Sequence, residues 1–125
     1  MSISADDFSK EINKILSEYG DAVLNASELA AIETGKDAKS ELQETSPKRY
    51  GAYRKGWKAT LERRRTGVKL IVHNTKKPQL THLLENGHAK TGGGRVEGIP
   101  HIAPAQEHAE ENYLKHLKEH LENDI

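Results

Sequence analysis

Seven histidines stand in 125 residues that contain no cysteine, so any metal chemistry here would rest on imidazole and carboxylate ligands alone. His116 and His120 are four apart in an amphipathic run, the spacing that brings two imidazoles to one helix face. They have no third ligand near them in sequence, and histidine close to a helix C-terminus also favours the dipole, so they read as structural or solvent-facing. His82, Glu85 and His88 match a zinc motif in residue type, but Gly87 interrupts the helical register that would aim both imidazoles at one ion. No metal and no cofactor is expected. The Gly92, Gly93, Gly94 run would cradle a phosphate only with a strand before it, a helix after it, and a lysine and a hydroxyl at fixed places. That context is missing, and the run reads as a flexible or partner-docking loop. No serine, histidine and acid grouping can be assigned; no catalytic residue is named and an enzyme is not expected.

A second chemistry is suggested by the basic stretch over residues 48–65, where Tyr50, Tyr53 and Trp57 are interleaved with cations as in single-strand nucleic-acid platforms. A small nucleic-acid-binding module is therefore the alternative function. Tyr53 and Trp57, however, fall on the face of their segment that should meet the helices, which makes them core candidates. The net charge of zero hides a strong segregation: residues 1–46 sum to −6, 47–65 to +7, 66–105 to +3 and 106–125 to −4. A neutral chain with acidic ends and a basic middle can attract copies of itself as readily as it attracts nucleic acid. Arg54 and Lys58 in the basic segment, and Gly92, Gly93, Gly94 and Arg95 in the loop, are the expected subunit or partner contacts. With 34% apolar residues and a mean hydropathy of −0.80, the chain is expected to be soluble, with no export signal and no membrane span. The lack of cysteine fits a reducing compartment.

These residues must be positioned by a small set of elements, expected to form one domain over residues 1–125. Ser4 can cap a helix with Asp6 and Asp7 in its first turn. Phe8, Ile12, Ile15, Tyr19, Ala22, Ala26 and Leu29 then follow at spacings of three and four, which predicts a helix over about 5–45 with one apolar stripe. Pro47 ends it by forcing Ser46 into an extended conformation. Such a helix is roughly 60 Å long, against a radius of gyration of about 14 Å for a compact domain of this size. It must bend near Gly20 or Gly35, or project and pack on a neighbour. From Gly51 the period becomes two, with Tyr53, Lys55, Trp57, Ala59 and Leu61 on one face, giving a strand over about 52–63. A turn at Arg64–Gly67 and a β-branched strand over about 67–74 complete an antiparallel hairpin. Leu80, Leu83 and Leu84 mark a short helix over about 79–86, residues 89–100 form a flexible glycine-rich loop, and Pro104 opens a last helix over about 104–122. The fold class is α+β.

Three stretches taken in order resemble the tail-component family of long-tailed bacteriophages. They are the helix exit and following strand from Ala38 to Trp57, with Ser46-Pro47 and Tyr53-Arg54-Lys55-Gly56-Trp57; His82-Leu83-Leu84-Glu85-Asn86-Gly87-His88 with the glycine loop and Arg95-Val96; and Pro100-His101-Ile102-Ala103-Pro104-Ala105. The resemblance implies a virion structural protein of the head-tail junction, a neck or tail-completion subunit made in the host cytoplasm. It implies self-assembly into a ring, with a hexamer as the implied form, and docking to connector or stopper and tail-tube proteins. DNA would pass nearby without specific binding. On this view the loop from Ala89 to Ile99 would become ordered on docking.

Overall fold

The computed structural model describes residues 5–65 and 67–124. Helix α1 spans Ala5–Thr45 and α2 spans Gly51–Lys55; strands β1 (Trp57–Arg64) and β2 (Gly67–Asn74) follow, then α3 (Leu80–Asn86), strands β3 (Gly87–Ala89) and β4 (Arg95–Glu97), and α4 (Ile102–Asp124). The strands form two separate antiparallel hairpins, β1–β2 and β3–β4. The architecture is α+β: a long helix on which a hairpin and a C-terminal helix both pack. Ser4, expected as a cap, lies outside the described residues, as do the side chains of Asp6, Asp7 and Phe8.

Small residues explain why α1 can serve as a common floor. Its buried face is Ala26, Ala30, Ala31, Thr34, Ala38 and Leu42, and alanine lets neighbouring backbones approach without a cost in side-chain entropy. The Thr34 hydroxyl donates to the Ala30 carbonyl at 2.7 Å, so its polar atom is satisfied where it is buried. Gly35 does not bend the helix, which continues through it. A Cβ there would stand 3.0 Å from Leu70 Cδ1 and 3.1 Å from Ala59 Cβ. Glycine costs a helix up to about 1 kcal/mol, and here it admits the hairpin to the helix surface.

The apolar stripe of α1 splits into two parts. From Ala26 onward the buried face is core, although Leu29 of the stripe stays exposed, whereas residues 9–19 are exposed throughout. Ile12, Ile15, Leu16 and Tyr19 retain 40%, 55%, 62% and 56% of their surface. The helix runs on unbroken and this end projects, with Tyr19 alone bordering an open apolar pocket beside Leu114, Leu117 and Leu121 of α4.

Three expectations need correction. The strand placed over about 52–63 begins only at Trp57, and Gly51–Lys55 is a helical turn. Tyr53 and Trp57 are four apart, a spacing that shares one face in a strand and in a helix alike, so alternation could not separate the two. The segment 89–100 is not a structureless loop either. Its centre is a second hairpin in which His88 pairs with Val96 and Ala89 with Arg95. Lys90 N–H donates to Gly94 O at 3.0 Å, and Gly93 and Gly94 turn the chain at φ of +100° and +80°, a region that favours glycine. The last helix also starts two residues earlier than placed, at Ile102, with Pro104 inside its first turn.

Candidate functional site

Residues that the sequence scatters over fifty-odd positions meet in one buried polar and aromatic hub. Tyr53 from α2, Trp57 from β1 and His101 from the N-terminus of α4 stack edge to face, with ring centroids 5.4, 5.6 and 6.2 Å apart. Such edge contacts set the positive rim of one ring against the negative face of the next. Each polar atom of the cluster is then joined to a different element. Trp57 Nε1–H donates to Ser46 Oγ at 2.8 Å, and Ser46 Oγ–H donates to the Leu42 carbonyl, which ties β1 to the end of α1. Asn74 Nδ2 donates to the Tyr53 carbonyl at 2.6 Å while its Oδ1 accepts from Lys77 N–H at 2.9 Å, linking β2 to α2.

Glu85 supplies the remaining connection. Its Oε1 accepts the N–H groups of His101 and Ile102 at 2.7 and 2.8 Å, and its Oε2 accepts that of Ala103 at 3.0 Å. A helix leaves its first amides without intrahelical partners; here the cap of α4 comes from the side chain of α3, sixteen or more residues away. Burial works to raise the Glu85 carboxyl, but the three backbone donors together outweigh it and hold the group below the usual carboxylate value. The Tyr53 hydroxyl and His101 Nε2 are 2.6 Å apart, and His101 Nδ1 is 2.7 Å from the Ile99 carbonyl. The network assigns the tautomer: Nδ1–H donates to Ile99, and Nε2 accepts from Tyr53. Burial raises the Tyr53 hydroxyl above its ordinary value, which keeps that proton in place as a donor.

A tyrosine, histidine and glutamate in series can also relay protons in a cleft. Here Tyr53 and His101 are 0% and 1% exposed, so no substrate reaches the series, and its donors and acceptors are already matched. It locks α2, α3 and the start of α4 together, and with Trp57, Ser46 and Asn74 the hub also ties in β1, the end of α1 and β2. Gly87 belongs to the same lock: at φ +81° its missing side chain leaves room for the Val96 carbonyl of the crossing β4 strand.

The remaining histidines of α4 pair with acids on α1. His108 Nδ1 meets Glu41 Oε1 at 2.7 Å, His116 Nε2 meets Asp37 Oδ2 at 2.8 Å, and His120 Nε2 meets Glu33 Oε1 at 2.7 Å. His116 Nδ1 also lies 2.8 Å from Glu33 Oε2, off the line of a hydrogen bond. The hydrogen bond that His108 donates to Glu41 holds it above its ordinary pKa. His116 and His120 face carboxylates rather than each other. His82 and His88 are likewise not joined: His82 Nδ1 is 3.0 Å from Asn86 Nδ2, and His88 lies in β3. Among the described residues no group of three or more such side chains is arranged to hold a metal ion.

The expected contact residues fall into two groups on separate parts of the fold. Arg54 Nε donates to the Gln43 carbonyl at 3.0 Å, tying α2 back to α1. Lys58 is exposed on the outward face of β1, paired with His73 across the hairpin. Gly92, Gly93 and Gly94 are exposed at the tip of the second hairpin, and Arg95 Nη2 donates to the Asn86 carbonyl at 2.6 Å. At the tip of the first hairpin, Arg63 is engaged within the chain by Glu28 at 2.6 Å. Of the three aromatics in the nucleic-acid reading, Tyr53 and Trp57 are 0% and 4% exposed and offer no stacking face, whereas Tyr50 is exposed with Arg49 over its ring. Sequence reasoning missed Glu85 as a cap, and missed Glu33, Asp37 and Glu41 as partners of the histidines.

The fold and the hub define an α+β module whose chemistry-bearing side chains are used to join its own elements. The family described as Bacteriophage HK97-gp10, putative tail-component, matches residues 6–87. The match covers well over half of the chain, and the chain belongs to that family: it is a structural component of a phage tail and so a virion protein. Residues 88–125 lie beyond the match, yet the hub binds them to it through Glu85 and Tyr53. No curated protein and no solved structure matches the chain.

Proposed function

We propose that the chain is a ring subunit at the head-tail junction, a neck or tail-completion protein that holds its neighbours through its own surface and docks to connector and tail-tube proteins. The observation that carries this reading is the bare end of α1, where Ile12, Ile15, Leu16 and Tyr19 stand exposed on a helix that outruns the domain it floors. An apolar stripe of this regularity is costly to leave in water and marks a contact surface. Family membership in a phage tail says where the contact would be used. Arg54, Lys58, Gly92, Gly93, Gly94 and Arg95 are proposed as further contacts to subunits or partners. Among the described residues no helix is long and apolar enough to cross a membrane.

Interrupting the gene in its phage tests the junction role. Filled heads and complete but unattached tails are the expected products, with joining restored when the purified chain is added. Normal attached particles made without the chain would contradict the proposal.

A further inference from the structure

Among the described residues two apolar features are left largely uncovered, Tyr19 alone of the α1 end sharing a pocket with Leu114, Leu117 and Leu121 of α4. One is the projecting end of α1. The other is a cleft of about 640 Å³ between α4 and the β1–β2 hairpin, within the range of volumes that seat ligands or side-chain clusters. Both walls pack along α1 but barely on one another. The cleft is floored by Ala38 and Leu42 and walled by Leu70 and Val72 on one side and Ile102 and Ala109 on the other.

From these we infer that the cleft receives the projecting α1 end of a second copy of this chain, a helix-in-groove contact that repeats head to tail around the ring. The inference rests on the ring reading above and assigns its interface. A helix cannot reach its own cleft, because its projecting end and the cleft floor belong to one continuous helix. A heterologous contact of this kind generates closed rings when the rotation closes.

Lengths and charges agree with that occupant. Ile12 to Tyr19 covers seven residues, or roughly 10 Å of helix, and so does the lining stretch Ile102 to Ala109. Anchors at positions 12, 15, 16 and 19 have the spacing with which an amphipathic helix fills a groove. Beside this stripe, Glu11 and Glu18 are seven apart and share one flank, with Lys14 next to both but turned further from the stripe, whereas Asn13 and Ser17 are four apart and share the other. The hairpin side of the cleft is basic: Lys76 and Lys77 stand exposed between the lining residues Asn74 and Pro78, and His73 lines the cleft itself. The α4 side carries Gln106, with Glu107 and Glu110 exposed beside it. Only one seating sets the acidic flank against the lysines and the neutral flank against the acids.

Because the chain has no cysteine of its own, a thiol cross-link reads this contact directly. Leu16→Cys and Ala109→Cys chains, each checked for a wild-type circular dichroism spectrum, are mixed and treated with a short thiol-reactive linker. A covalent dimer is expected in the mixture and only at background in either variant alone. Replacing Glu11 and Glu18 by lysine should abolish the link, and adding Lys76→Glu and Lys77→Glu to the partner should restore it. Self-linking of Leu16→Cys would show instead that projecting ends pair with each other, and would overturn the inference. Sedimentation of the unmodified chain separates the two levels. Oligomers without the mixed link overturn this interface alone, while a chain that stays monomeric and unlinked overturns the ring reading with it.

Discussion

The two ends of the apolar stripe on α1 behave as different materials. Around Leu42 the helix meets an aromatic and hydrogen-bonded hub in which Tyr53, Trp57, His101, Ser46, Asn74 and Glu85 each have a partner on another element. Around Ile15 the same helix carries apolar residues at similar spacing and leaves them exposed. The hub spends its surface on folding, and the projecting end keeps its surface for a neighbour. Stability and assembly should therefore respond to different substitutions.

The sharpest way to break this comparison is Trp57→Ala, which removes the largest ring of the hub and the donor to Ser46. Large-to-small changes at such sites cost about 3–5 kcal/mol, enough to unfold a domain of this size or nearly so. Ile15→Ala, in an exposed helix position, should stay within about 0.5 kcal/mol of wild type. Chemical denaturation of both variants at concentrations that keep the chain monomeric checks the contrast; equal losses would remove the distinction.

Tyr53→Phe is the next in size. It deletes only the hydroxyl, leaving buried His101 Nε2 without a donor, and should cost about 1–3 kcal/mol with an unchanged denaturant slope. Glu85→Gln should be milder, on the order of 1 kcal/mol, since the amide oxygen can still accept from part of the α4 terminus. Its pH dependence is the more specific readout. The Glu85 carboxyl is held below its usual value, so its contribution is complete above about pH 4.3 and is lost as the pH falls through the lower folded-state value. The gap between wild type and Glu85→Gln should hold steady from neutral pH to that point and close in stronger acid.

The smallest effect is expected on the seam between α1 and α4. His108 is held above its ordinary pKa by Glu41, so its contribution is complete below about pH 6.5 and fades as the pH rises through the folded-state value. The pair is exposed, and surface pairs are worth little. His108→Ala should match wild type in alkaline buffer and fall slightly below it in mildly acid buffer, a difference readable as a shift in denaturation midpoint.

Much of this organisation was legible in the residues, and the failures have definite causes. The long helix, the β1–β2 turn and the core role of Tyr53 and Trp57 follow from period and from proline and glycine punctuation. The start of β1 was ambiguous because Tyr53 and Trp57 satisfy both periods. The β3–β4 hairpin was hidden because three-residue strands carry no measurable alternation, and the glycines that make their turn look like a flexible linker. Glu85 could not be seen as a cap, since sequence rules for capping look three residues along and not sixteen. The face shared by His116 and His120 was readable, but their acids lie on a helix about eighty residues earlier, a pairing that only packing reveals.

The division between a closed hub and an open helix end is tested most directly by sedimentation velocity on wild type and on an Ile15→Asp, Leu16→Asp double variant across matched concentrations. Wild type is expected to move into a single closed species of fixed mass. The variant should remain monomeric while keeping the wild-type denaturation midpoint. A variant that assembles as wild type does, or one that loses stability in step with assembly, would contradict it.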